Sequence, residues 1–254
     1  MSAACGGGGS TPASSTSPSP APTTPVAAAC GAIGGQTVQI VNGSDCNAAT
    51  GSVVLLNMKD ANGLQNGSCS GTVIAPRAVL TAAHCLAPAT ASVKVFTGTG
   101  TEITAQSFGR HPSHSDSTAT SFDVGVVLTA ADIGRPAVPL LLSRDARVGE
   151  TAVIAGWGKD QNQVATTLRA GTATITAVSS LLLQTEYTNN FSSTCQGDSG
   201  GPLLLQDSGT WAVAAVISAN STLACSFGTN YFANLRNADI SAFVLSKVPA
   251  ASTR

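Results

Sequence analysis

The chain has 254 residues, a net charge of -1 and only 10% charged residues. So weak a field gives no general attraction to a polyanion or an acidic membrane, so nucleic acid is not expected as a partner. No stretch approaches the roughly 18 consecutive apolar residues that would span a bilayer as a helix.

Near the start, Ser2-Ala-Ala-Cys5 and the glycines that follow resemble the cleavage and lipidation site of a bacterial lipoprotein, although Ser2 stands where an apolar residue is usual. Cys5 is expected to be either lipid-anchored or a free thiol, and membrane contact is expected only through it. Residues 6–29 are almost wholly Gly, Ser, Thr, Pro and Ala. That composition cannot bury enough apolar surface to offset its ordering entropy and is expected to form a disordered tether, extended by its prolines.

Short β-branched runs broken by turn residues follow. Strands are expected over Val53–Leu56, Thr72–Ile74, Val93–Phe96, Val124–Leu128, Ala152–Ile154, Ala173–Thr176, Leu203–Leu205 and Trp211–Ile217. Ile240, Phe243 and Val244 recur at helical spacing, which predicts a short C-terminal helix over Ala238–Lys247. The pattern is all-β, with no repeat period. Seven cysteines in a chain this poor in charge point to an oxidising, extracytoplasmic compartment, with six able to pair.

Acyl transfer needs a nucleophile, a base, a group that orients the base and donors for the oxyanion. Gly197-Asp198-Ser199-Gly200-Gly201-Pro202 sets a serine among glycines, which permit the backbone angles that expose a side chain and aim amides at a ligand. Gly-x-Ser-x-Gly alone also fits the nucleophile elbow of an α/β-hydrolase, but that order needs a histidine after the serine. All three histidines, His84, His111 and His114, precede Ser199. His111 and His114 fall in the polar stretch 110–121, where solvent-exposed loop residues are expected; no ligand pattern completes a metal site around them.

The available order is His, Asp, Ser. Thr81-Ala-Ala-His84-Cys85, Asp123-Val-Gly-Val-Val-Leu128, Gly156-Trp-Gly158, Gly197–Pro202 and Ile40-Val-Asn-Gly43 together resemble the chymotrypsin and trypsin family of serine peptidases from about residue 40 onward. The resemblance implies a double six-stranded β-barrel with a short C-terminal helix. It makes Ser199 the nucleophile, His84 the base and Asp123 its orienting group, with the amides of Gly197 and Ser199 as oxyanion hole. No metal or organic cofactor is implied, and the partners are protein or peptide substrates. Disulfides Cys69–Cys85 and Cys195–Cys225 follow from the family pattern. Cys30 and Cys46 lie outside it and are expected to pair across Ile40.

The family also implies activation by a cut before Ile40, whose new ammonium pairs with Asp198. The chain would then divide into the tether 1–29, a leader 30–39 and a peptidase 40–254 with two parts meeting near 130–145. It would be made as a zymogen for an activating protease and would act as a monomer. Gln39 departs from the basic residue usual before the cut. Ser193, Ser218, Asn220 and Asn230 are expected around the specificity pocket, where a serine at 193 gives no preference for Lys or Arg and two asparagines shorten the pocket for small or polar side chains. The alternatives are a catalytically silent member that binds a partner, a surface adhesin on a tether, and a serine hydrolase of another fold.

Overall fold

The structure, a computed structural model, describes residues 1, 30, 32, 44–48, 50–100, 102–117, 121–160, 162, 165, 167–187, 191–222, 225 and 227–254. Cys5, the tether and the Gln39-Ile40 pair lie outside the described residues.

The first barrel consists of β2 (Val53–Lys59), β3 (Gln65–Ala75), β4 (Ala78–Thr81), β5 (Ser92–Phe96), β6 (Glu102–Arg110) and β7 (Gly125–Thr129). Its strands close in the order β2-β3-β4-β7-β6-β5. Period-two alternation drives the closure: Val54, Leu56 and Met58 of β2 and Val93 and Val95 of β5 point into the core, each no more than 3% exposed.

The second barrel consists of β8 (Thr151–Gly156), β9 (Arg169–Val178), β10 (Leu182–Glu186), β11 (Pro202–Asp207), β12 (Thr210–Asn220) and β13 (Thr229–Asn234). The order β9-β10-β13-β12-β11-β8 closes because β8 also pairs with β9. Ile154, Ile175, Leu183, Leu203, Leu205 and Phe232 fill it. A two-residue strand β1 (Ser44–Asp45) adds to the start of β9 through Ser44 opposite Ala170. All pairings within the barrels are antiparallel.

The expected helix forms over Ala238–Lys247 and is called α1. Asn237 caps it by accepting from the amides of Asp239 and Ile240, Asp239 and Lys247 complement its dipole, and Ile240, Phe243 and Val244 are buried.

The barrels are joined close to the expected site. Trp157 Nε1 donates to Val53 O at 3.2 Å, and its ring meets Phe96 edge to face at 5.7 Å. The Ser70 amide donates to Ser199 O at 2.7 Å, which ties the serine loop of the second barrel to β3 of the first.

Candidate active site

The expected catalytic residues sit in segments that leave or lead into strands, Ser199 three residues before β11. β4 runs out at Thr81, and a one-turn 3₁₀ helix, His84–Leu86, presents His84. Asp123 lies two residues before β7, and Ser218 lies near the end of β12. Phe122, just before Asp123, has φ 48°, a region bulky residues seldom adopt. Its ring is stacked on His111 with centroids 4.8 Å apart, which holds that turn.

Asp123 is fully buried, and a buried carboxylate is stable as an anion only when its oxygens are met by donors. Oδ1 accepts from the His84 amide at 2.9 Å. Oδ2 accepts from Ser218 Oγ at 2.6 Å and lies 2.8 Å from His84 Nδ1. A carboxylate facing Nδ1 places the ring proton there and leaves Nε2 with its lone pair in the neutral ring.

Ser199 is partly exposed beside this pair, and no hydrogen bond joins its Oγ to His84 Nε2 among the described residues. The structure thus brings His84, Asp123 and Ser218 into contact and leaves Ser199 adjacent. Gly197 and Gly200 have φ of 97° and 84°; a Cβ on Gly197 would come within 2.9 Å of Gly158 Cα, and one on Gly200 would strike Thr81 Oγ1 and Ser70 O. Only glycine allows this packing. Ser70, which no motif marks, holds the loop from below: its Oγ donates to Gly197 O and accepts from the Trp157 amide. The amides of Asp198, Gly200 and Gly201 are engaged, whereas those of Gly197 and Ser199 donate to no other described group.

Asp198 is 1% exposed. Its oxygens accept from the amides of Gly158 and Cys195, both at 2.8 Å. Burial pushes its carboxyl up to about 7, against the pull of those two amides and of the Arg169 charge. No ion pair reaches Asp198 among the described residues. Ile40, its expected partner, lies outside them. Arg169 instead pairs with Asp160 at 3.3 Å and donates to Gly158 O.

A pocket of about 120 Å³ opens beside Ser199, lined by Thr194, Gln196, Asn220, Thr222 and Cys225 among others. Of the four expected pocket residues only Asn220 lines it; Ser218 faces Asp123. Ser193 and Asn230, both fully buried, lie behind it: Asn230 Oδ1 accepts from Ser193 Oγ, Thr194 N, Thr194 Oγ1 and Asn220 Nδ2 at 2.7–3.2 Å. The Thr194 amide can only donate, which fixes the oxygen of Asn230 on this side.

Three disulfides form, Cys30–Cys46, Cys69–Cys85 and Cys195–Cys225. His84 clusters with Cys69 and Cys85, but both sulfurs are in the disulfide and present no thiolate to a metal. The expectation that His111 and His114 are solvent-exposed fails. They are 4% and 8% exposed, because the loop before β7 folds back under Phe122 and α1 and the ring of His111 packs on Phe122 and Phe243. A loop polar in sequence need not be a loop in solvent when its histidines have carbonyls to bond.

A family model described as trypsin matches residues 40–237. The chain is 31% identical over 162 residues to a trypsin of Saccharopolyspora erythraea, covering 55% of this chain and 71% of that one. It is 30% identical over 213 residues to kallikrein-11 of Homo sapiens, covering 72% of each. Its fold is similar to the solved structure of HL collagenase, with a TM-score of 0.65 at 17% identity over 85% of this chain and 98% of that one.

Proposed function

The chain belongs to the trypsin family of serine peptidases, and on that premise we propose that it is an endopeptidase working through His84, Asp123 and Ser199. The observation that carries the reading is the buried Asp123 carboxylate, held by Ser218 and placed 2.8 Å from His84 Nδ1. Ser199 Oγ attacks the scissile carbonyl carbon and gives its proton to His84 Nε2. Collapse of the tetrahedral species expels the amine, which takes that proton and leaves an acyl-Ser199. Water then attacks with His84 as base, and the acid and free Ser199 are released. The amides of Gly197 and Ser199 receive the oxyanion, each such donor contributing roughly 10²-fold or more.

The chain is made as a zymogen, with residues 30–39 as leader and 40–254 as peptidase, its two barrels dividing near 130–145. Supporting this is the buried Asp198, which no ion pair reaches among the described residues although the Arg169 charge acts on it. An α-ammonium on Ile40, released by an activating protease, would supply that charge. The small pocket and its asparagines favour small or polar side chains at the cleaved bond. Three disulfides suit an extracytoplasmic site, where a lipid on Cys5 would hold a monomeric enzyme on its tether.

The other reading is a catalytically silent protein that binds a partner. Fluorophosphonate treatment followed by intact mass and peptide mapping separates these for the full chain and a form beginning at Ile40. One adduct on Ser199, confined to the cut form, is the expected result. Labelling of both forms removes the zymogen, and labelling of neither removes the enzyme.

A further inference from the structure

His114 has no role in the chemistry above, yet its side chain is completely buried against the triad carboxylate. Its Nδ1 lies 3.0 Å from Ser121 O, an acceptor only, so Nδ1 carries a proton. The same nitrogen is 3.8 Å from Asp123 Oδ1, the oxygen that otherwise accepts from the His84 amide. On the opposite edge, Nε2 is buried without a hydrogen bond and stands 3.5 Å from Asp116 Oδ1. Asp116 is itself gripped by both terminal nitrogens of Arg110, at 2.9 and 3.2 Å, and the Arg110 guanidinium holds its carboxyl below the usual carboxylate range.

We infer that His114 is a positioning residue: Asp123 stands between two imidazoles, with His84 on the catalytic side and His114 on the other, and Asp116 couples His114 to the surface. The inference rests on the reading of Asp123 as the group that orients His84. A packing role alone would not require a polar ring here, since its neighbours His111 and Phe122 are already stacked on one another, and an apolar ring would leave no unsatisfied Nε2 in the interior. The proton-bearing Nδ1 presents positive charge to Asp123 and weakens the hold of that carboxylate on the protonated ring of His84. The charged and titratable groups on this side are His84 and Asp123 in the site, Arg110 and Asp116 around the loop, and His111, whose carbonyl accepts from the His114 amide and whose ring reaches Asp239 O of α1.

The chain has three histidines, so ring-labelled histidine gives an NMR titration of His84 in the full chain that needs no turnover. His114→Phe should move the His84 midpoint up by about half a unit or more, because a positive pole beside Asp123 is gone. Asp116→Asn should move it down, because a negative charge is gone. His114→Gln, whose amide can still donate to Ser121 O, should restore most of the wild-type value; should the phenylalanine protein fail to fold, His114→Leu serves as the variant that removes the donor. Opposite shifts from positions 114 and 116 are not expected from loosened packing. A His84 midpoint unchanged in all the folded variants overturns the inference. Fluorophosphonate labelling of the same proteins reports separately on the enzyme: shifts without labelling sink the peptidase reading alone, and labelling without shifts sinks the role of His114 alone.

Discussion

Ser218 Oγ donates to Asp123 Oδ2 at 2.6 Å, so a residue near the end of β12 helps to fix the carboxylate that faces His84 Nδ1 in the other barrel. Ser218→Ala would leave Oδ2 with His84 Nδ1 as its one remaining partner. A hydrogen bond to a charged group contributes about 1.5–3 kcal/mol, so kcat/KM on a chromogenic ester is expected to fall about 10- to 100-fold and Tm by several degrees, at about 2–4 °C per kcal/mol. An unchanged rate would show that Asp123 is held without Ser218.

Asp198 gives a pH signature for the uncut chain. Its folded carboxyl lies near about 7 against 3.8 for the ordinary group. Below the lower value both folded and unfolded states hold the proton; between the two only the folded state does. Stability is therefore greatest on the acid side and is lost as pH rises through about 7. An ammonium delivered from Ile40 would pull the carboxyl back down and remove this loss. Thermal melts from about pH 4 to about pH 8 should show the decline in the full chain and not in the cut form; a matching decline in both would mean that the new terminus does not reach Asp198.

Much of this site is legible in the sequence because its chemistry is carried by short local motifs. Thr81–Cys85, Asp123–Leu128 and Gly197–Pro202 each place their residue beside one end of a strand, and the strong strands β2, β5, β7, β8 and β12 come from runs rich in β-branched residues and β11 from a leucine run. β6 escapes notice because Glu102–Arg110 is mostly polar and none of its residues is fully buried; Ile103, Ala105 and Phe108 are only partly covered by the core, and the strand is held by backbone pairing to β5 and β7. β10 and β13 are hidden for a related reason: Thr185 and Asn230 are polar yet fully buried, bonded to one another across the pair. The burial of His114 is likewise set by a turn through Phe122, and no pattern in residues 110–121 announces it.

Asn230 behind the pocket and Asn220 on its wall separate stability from specificity. Asn230→Ala would remove the acceptor of the buried Thr194 amide and of Thr194 Oγ1, and each buried group left unsatisfied costs about 1–3 kcal/mol. A clear fall in Tm is expected. Asn220→Gly removes a half-buried side chain that lines the pocket of about 120 Å³, whose amide nitrogen is one of four donors on Asn230 Oδ1 and whose oxygen accepts from the Thr222 amide. The cut form of Asn220→Gly should accept bulkier residues at the cleaved bond in a peptide-library digest, with a smaller fall in Tm. An unaltered cleavage profile would place the limit on substrate size elsewhere.

Cys30 and Cys46 flank the bond proposed to be cut. Cys30 is fully buried in the cluster that also holds Cys46 and Leu168, and β1, just before Cys46, is paired to the start of β9. Cutting before Ile40 would therefore leave residues 1–39 attached to the peptidase through this disulfide, and a lipid on Cys5 would still hold the activated enzyme at its surface. Cleavage by a site-specific protease at an engineered 39–40 site should give one non-reduced species heavier than the uncut chain by a single water, and two fragments after reduction. Paired Cys30→Ser and Cys46→Ser substitutions should release residues 1–39 without reductant. If the leader leaves the cut wild-type protein under non-reducing conditions, the bridge does not persist in the cut molecule and activation would free the peptidase from its tether.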